Sequence, residues 1–136
     1  MRSPIEEGRR WLEQAEDDLK KARYNLEGGY CDLVCFLCQQ VAEKALKAYF
    51  YDKGMEAAWT HSVERLLREA EKQDSTFSGL IAAGTSQLDG YYVPTRYPNA
   101  LPGSIPALVY GRGTAEKAIE LAEQAVQFVK RKMGQD

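Results

Sequence analysis

Apolar residues recur at three- and four-residue steps through most of this chain, the signature of amphipathic helices. The first such stretch, about Pro4 to Glu27, puts Trp11, Ala15, Leu19, Ala22 and Leu26 on one stripe. The opposite face carries Glu16–Lys20 and Asp17–Lys21, acid before base at i,i+4, which is the favourable order. Pro4 is tolerated in a first turn, and Gly28-Gly29 is a stop signal. The second stretch, about Tyr30 to Lys53, is apolar on more than one side, through Leu33, Val34, Phe36, Leu37, Val41, Ala42, Ala45, Leu46 and Tyr49. Such a helix is central in a bundle or shared with another subunit. Polarity rises after Gln39 with Glu43, Lys44 and Lys47, and Gly54 is a plausible end.

A third, shorter helix is expected after Thr60 or Ser62, either of which can cap it, with Val63, Leu66, Leu67 and Ala70 inward. A fourth is expected from about Ser75 to Leu88, weakened by Gly79 and Gly84. Residues 89–113 then change character. Pro94, Pro98, Pro102 and Pro106 fall here with Tyr91, Tyr92, Tyr97 and Tyr110, and prolines at this density forbid a continuous helix. A loop of this length inside a small domain is usually functional or mobile. Thr114 is expected to cap a last helix to about Met133, with Ala118, Ile119, Ala122, Ala125, Val126 and Val129 inward and Lys130, Arg131 and Lys132 at its C-terminal end. No alternating strand pattern is present. The expectation is one all-α domain over residues 1–136.

Composition narrows the function classes. The 136 residues sum to a net charge of −2, which argues against a constitutive duplex-DNA binder. No stretch is apolar enough to span a bilayer and the N-terminus does not read as a secretory signal, so no membrane partner is expected. Cys31, Cys35 and Cys38, odd in number and within one short segment, do not resemble a disulfide framework, so the expected setting is cytoplasmic. The single histidine, His61, excludes a multi-histidine metal site, and no metal or cofactor is expected. Cys31, Cys35 and Cys38 have the spacing of a radical SAM iron–sulfur motif. They stand within a helical segment, however, and seven helical residues extend over about 10 Å, so three thiolates in a row do not converge on a cluster. The expected role is packing. Gly79 to Ser86 has a P-loop outline but carries Thr85 where the phosphate-binding lysine belongs. His61 is either a residue at the head of the third helix or a general base.

The most unusual string is Tyr92-Val-Pro-Thr-Arg96-Tyr97-Pro98-Asn99. It reads either as a surface loop whose tyrosines pack on the bundle or as an anion and base site. In the second reading Arg96 grips a phosphate through its fork of donors, and Tyr92 or Tyr97 stacks on a base.

Four stretches together resemble the HEPN domain, the higher eukaryote and prokaryote nucleotide-binding domain. Trp11 to Arg23 is similar to its first helix and Gln39 to Ala48 to its second. His61 to Leu67 resembles the head of its third helix, and Tyr92-x-x-x-Arg96-Tyr97-Pro98 its C-terminal part. The resemblance implies an antiparallel helical bundle, commonly a homodimer, that acts on nucleotides or RNA. It also implies a minimal nucleotidyltransferase as partner, in a toxin–antitoxin-like pair. Many members are metal-independent ribonucleases with a histidine four to six residues after an arginine. Here Ala100, Leu101 and Pro102 occupy those places, and no histidine follows Arg96. The string is better matched to a nucleotide- or RNA-binding form. On this reading Arg96 holds phosphate and Tyr92 and Tyr97 shape the site. Glu43 orients Arg96 through a charge-assisted bond, and Lys44 and Lys47 add positive potential. The alternatives are a ribonuclease toxin using Arg96 with His61 or a tyrosine, and a module that only binds a cognate nucleotidyltransferase.

Overall fold

The computed structural model describes residues 2–56 and 60–134. Every regular element among them is helical: α1 (Pro4–Glu27), α2 (Cys31–Asp52), α3 (Val63–Gln73), α4 (Ser78–Ala83), α5 (Pro106–Val109) and α6 (Arg112–Lys132), with short 3-10 turns at Ser75–Phe77, Thr85–Tyr91 and Pro98–Ala100.

α1 starts with Ser3, whose hydroxyl accepts the Glu6 N–H, and Pro4 opens the first turn. It ends at Gly28, and Gly29, at φ 81°, turns the chain back in the left-handed region that suits glycine. α2 therefore returns antiparallel, with Gly8 near the start of α1 lying against Ala48 and Asp52 near the end of α2. α6 also runs antiparallel to α1. Its ties are Arg112 Nη1 to the Leu26 carbonyl, Arg23 to Glu123 at 2.6 Å and Lys130 to Glu16 at 3.2 Å. Asp17–Lys21 forms as the sequence suggests, at 2.9 Å, whereas Glu16 turns to Lys130 on α6.

The central position expected for α2 is borne out, since α1, α3, α5 and α6 all pack on it. Val34, Cys35, Cys38, Val41, Ala42, Ala45, Leu46 and Ala48 are fully enclosed. α3 buries Val63, Leu66, Leu67 and Ala70, as its periodicity requires. Below it Phe77 inserts edge-on between Tyr49 and Phe128, with ring centroids 4.7 and 4.8 Å away.

Three sequence expectations are corrected. The fourth helix does not run from Ser75 to Leu88. It breaks at Gly84, which adopts φ 91°, into α4 and the 3-10 turn Thr85–Tyr91. The last helix begins at Arg112 after an extended Gly111, and Thr114 lies inside it. The Ala115 N–H already reaches the Gly111 carbonyl, and Arg112 anchors the first turn on the end of α1. The proline-rich segment is a chain of short turns. Pro98 and Pro106 each open one, where a missing N–H costs nothing. Thr95 is buried and donates its hydroxyl to the Tyr91 carbonyl, while Tyr91 and Tyr110 pack edge to face.

Asp74 joins two ends of the fold. Its carboxylate accepts from the hydroxyl and backbone N–H of Thr76 and pairs with Lys132 at 2.9 Å. The Thr76 hydroxyl, then Lys132, hold its pKa down at about 2. A depressed carboxylate stabilises the fold above its unfolded pKa, and that contribution is lost as pH falls through the folded value. Asp74→Ala should therefore cost about 1 kcal/mol at neutral pH. Denaturation of both proteins along a pH series should show the gap close between about pH 4 and pH 2.

Cys31, Cys35 and Cys38 line the buried side of α2. Burial pushes the Cys35 thiol up to about 12 and raises that of Cys38 as well. Because the thiolate is the reactive form, a disulfide reagent should modify Cys35 and Cys38 only as fast as the fold opens. Rapid labelling of both in the native protein would contradict this packing.

Candidate functional site

The site forms where the end of the Thr85–Tyr91 turn and the Tyr92–Tyr97 segment lie over α2, beside the head of α3. Phe36, Gln40, Glu43 and Lys47 recur at three- and four-residue steps along α2 and so share a face. Phe36 supplies an aromatic floor, since the Arg96 guanidinium carbon sits 4.4 Å above its ring centroid. The same guanidinium lies 4.8 Å from the Tyr92 ring and 5.3 Å from the Tyr97 ring. Arg96 Nε donates to the Tyr92 carbonyl at 2.7 Å, and the residue is exposed. Among the described residues no carboxylate pairs with it. An exposed arginine lying against aromatic rings, its terminal nitrogens without a partner among the described residues, is arranged to take an anion.

His61 enters from the segment before α3. Its ring stacks on Tyr92 at 5.0 Å with the planes 19° apart. Its Nδ1 lies 3.2 Å from a Glu43 oxygen, and its carbonyl accepts from Gln39 Nε2 at 2.7 Å. Gln39 and Glu43 are both buried, so two side chains of α2 grip His61 by ring and backbone. In the neutral tautomer that carries its proton on Nδ1, toward Glu43, the other ring nitrogen is the acceptor. The His61 side chain is 64% exposed, so the ring is accessible to a ligand.

Arg96, Tyr92, Tyr97 and His61 thus come together. Glu43 joins them through His61, and the expected bond between Glu43 and Arg96 is not formed. The Glu43 oxygens are taken by Lys47 at 3.0 Å and by His61, while Arg96 is held by the Tyr92 carbonyl. Lys47 is consequently neutralised, and it also lies over Trp11. Lys44 points to α1, where it pairs with the buried Asp18 at 2.6 Å. The two lysines therefore add little free positive charge beside Arg96. Gln39, which opens the stretch that resembles the second HEPN helix, joins the cluster through the His61 carbonyl, whereas Phe36 and Asp89, which accepts the Val63 N–H at the head of α3, belong to no motif. Phe36 stands seven residues before Glu43, two helical turns along the same face, and that spacing is the one signal for it.

The model of the HEPN domain matches residues 9–132. The chain belongs to the HEPN domain family. Human sacsin carries a region 32% identical over 128 residues, covering 89% of this chain and 3% of sacsin, so the chain spans only a small fraction of that protein. The crystal structure of TT1696 from Thermus thermophilus is 40% identical, with a TM-score of 0.84 over 92% of this chain and 97% of that one. ST0689, an archaeal HEPN homologue, is 34% identical with a TM-score of 0.77, covering 98% and 99%. The HEPN domain protein TM0613 from Thermotoga maritima is 30% identical with a TM-score of 0.72, covering 93% and 99%. The all-helical HEPN architecture expected from the sequence is the one found. Among the described residues no helix is long and apolar enough to cross a membrane. In this HEPN domain the string that carries Arg96 and the lone histidine, 35 positions apart in sequence, share one aromatic cluster.

Proposed function

We propose that this HEPN domain binds a nucleotide or an RNA segment at the Arg96 cluster, in the cytoplasm. The observation that carries the reading is the Arg96 guanidinium on Phe36 and Tyr92, its terminal nitrogens without a partner among the described residues, beside the exposed ring of Tyr97. A phosphate takes the fork and an unpaired base adds to the aromatic surface, which suits single-stranded RNA or a nucleotide better than a duplex. The protein acts as a homodimer and as partner of a minimal nucleotidyltransferase in a toxin–antitoxin-like pair. Exposed apolar residues support an interface: Leu33 on α2, and Leu108 and Val109 on α5, which packs against α2.

The test is titration of the purified protein with common ribonucleotides and with labelled single-stranded RNA, together with sedimentation. Binding of either ligand by a species of twice the chain mass is expected. No binding of any probe would sink the reading.

One observation favours a second reading, a metal-independent ribonuclease. His61 stands against Tyr92 with Glu43 behind its Nδ1, the arrangement that orients a general base. Cleavage of the same RNA in the presence of a chelator, lost in His61→Ala, would establish that activity.

A further inference from the structure

His61 and Tyr92 belong to segments that are distant in sequence, and their stack exists only if those segments are fastened together. Asp89, in the turn Thr85–Tyr91, reaches across to the head of α3. One carboxylate oxygen accepts the Val63 N–H at 2.7 Å, and the other accepts the Ser62 hydroxyl at 3.0 Å and the Glu64 N–H at 2.9 Å. The Asp89 carbonyl accepts the Tyr92 N–H at 3.3 Å. One residue thus grips the chain immediately after His61 with its side chain and the start of the Tyr92–Tyr97 segment with its backbone.

A helix start leaves N–H groups without partners, and a carboxylate there is favourable. α3 already has a local cap, however, in the Ser62 hydroxyl, which accepts the Arg65 N–H at 3.1 Å. What Asp89 adds is the link between elements. From it the connection continues to the ligand groups, because the Tyr92 carbonyl holds Arg96 Nε.

We propose that Asp89 is the positioning residue of the nucleotide or RNA site, holding the His61–Tyr92 stack together and, through Tyr92, the direction of Arg96. The inference rests on the binding function proposed above. Asp89 touches no ligand itself; Gln39 and Glu43 hold His61 from α2, and Asp89 holds Tyr92 against it.

His61 is the single histidine, so its ring protons give a unique NMR signal, and stacking on Tyr92 shifts that signal upfield. In the ligand-free protein Asp89→Ala should move it toward the position of an unstacked histidine. The same variant should bind a short fluorescent single-stranded RNA about tenfold more weakly. Asp89→Asn keeps an acceptor oxygen but sets an amide against a donor, so it should fall between wild type and Asp89→Ala on both readouts. If Asp89→Ala does not fold, the Asn variant decides the matter alone. An unmoved His61 signal overturns the proposal, as does a moved signal with undiminished affinity. A wild-type protein that binds neither RNA nor ribonucleotides, with the His61 signal still responding to Asp89, shows the binding function to be wrong, and the positioning role falls with it.

Discussion

Replacing Arg96 with alanine should weaken nucleotide or RNA binding by about ten- to a hundredfold, the loss expected when a charge-assisted contact of about 1.5–3 kcal/mol is removed. The melting temperature should hardly move. Among the described residues Arg96 has no buried carboxylate to leave unpaired, and its side-chain contacts there are one bond to the Tyr92 carbonyl and the rings beside it. Exposed cation–π contacts of this kind contribute about 0.5–1 kcal/mol. Arg96→Lys keeps the charge but loses both the two-pronged donor geometry and the flat face that lies on Phe36, so it should recover only part of the affinity. Titration and thermal melting of the same variants separate the two roles. Unchanged affinity for every ribonucleotide and RNA tested, with a lowered melting temperature, would make the Tyr92–Asn99 string a structural clasp.

The sequence carries the architecture more openly than the site. Long periodic stretches such as Pro4–Glu27 are fixed by local signals that agree: a serine cap, a proline in the first turn, a continuous stripe and a glycine stop. Where such signals are weak, tertiary packing decides. Gly84 breaks the fourth segment because its backbone turns left-handed there, and the bond from Arg112 to Leu26 draws the start of α6 ahead of Thr114. Arg96, Tyr92 and Tyr97 stand out because proline and tyrosine are concentrated around them. His61 could be noticed as the lone histidine, but its stack on Tyr92 depends on the path taken by thirty residues between them. The Glu43 partner was least legible. A carboxylate on α2 can meet any cation brought near it, and Lys47, one helical turn away, competes with the distant Arg96 at no cost in chain entropy.

Gly8 illustrates information that a sequence pattern hides, and it yields the largest expected change in stability. Alanine for glycine on an exposed helix face normally stabilises by about 0.5–1 kcal/mol. At Gly8 the sign should reverse. A β-carbon there would come within 2.8 Å of the Asp52 β-carbon, 2.9 Å of the Ala48 carbonyl oxygen and 2.9 Å of the Asp52 α-carbon. Two of those atoms are backbone and cannot rotate away, so α1 and α2 must part along their main interface. Overpacking of this kind costs about 1–3 kcal/mol for alanine, and Gly8→Val, with two further carbons in the same space, should cost more. Gly79, in α4, provides the control, because a β-carbon there would meet nothing within 4 Å. Gly79→Ala should raise the denaturation midpoint while Gly8→Ala lowers it, from the same chemical change in one protein. Since α2 carries Phe36, Gln39 and Glu43, a helix pair forced apart at Gly8 also tests how rigidly the site is mounted. Denaturation of the Gly8 and Gly79 variants reads the first effect and RNA titration the second. A Gly8→Ala protein as stable as Gly79→Ala would show that α1 and α2 are not in backbone contact.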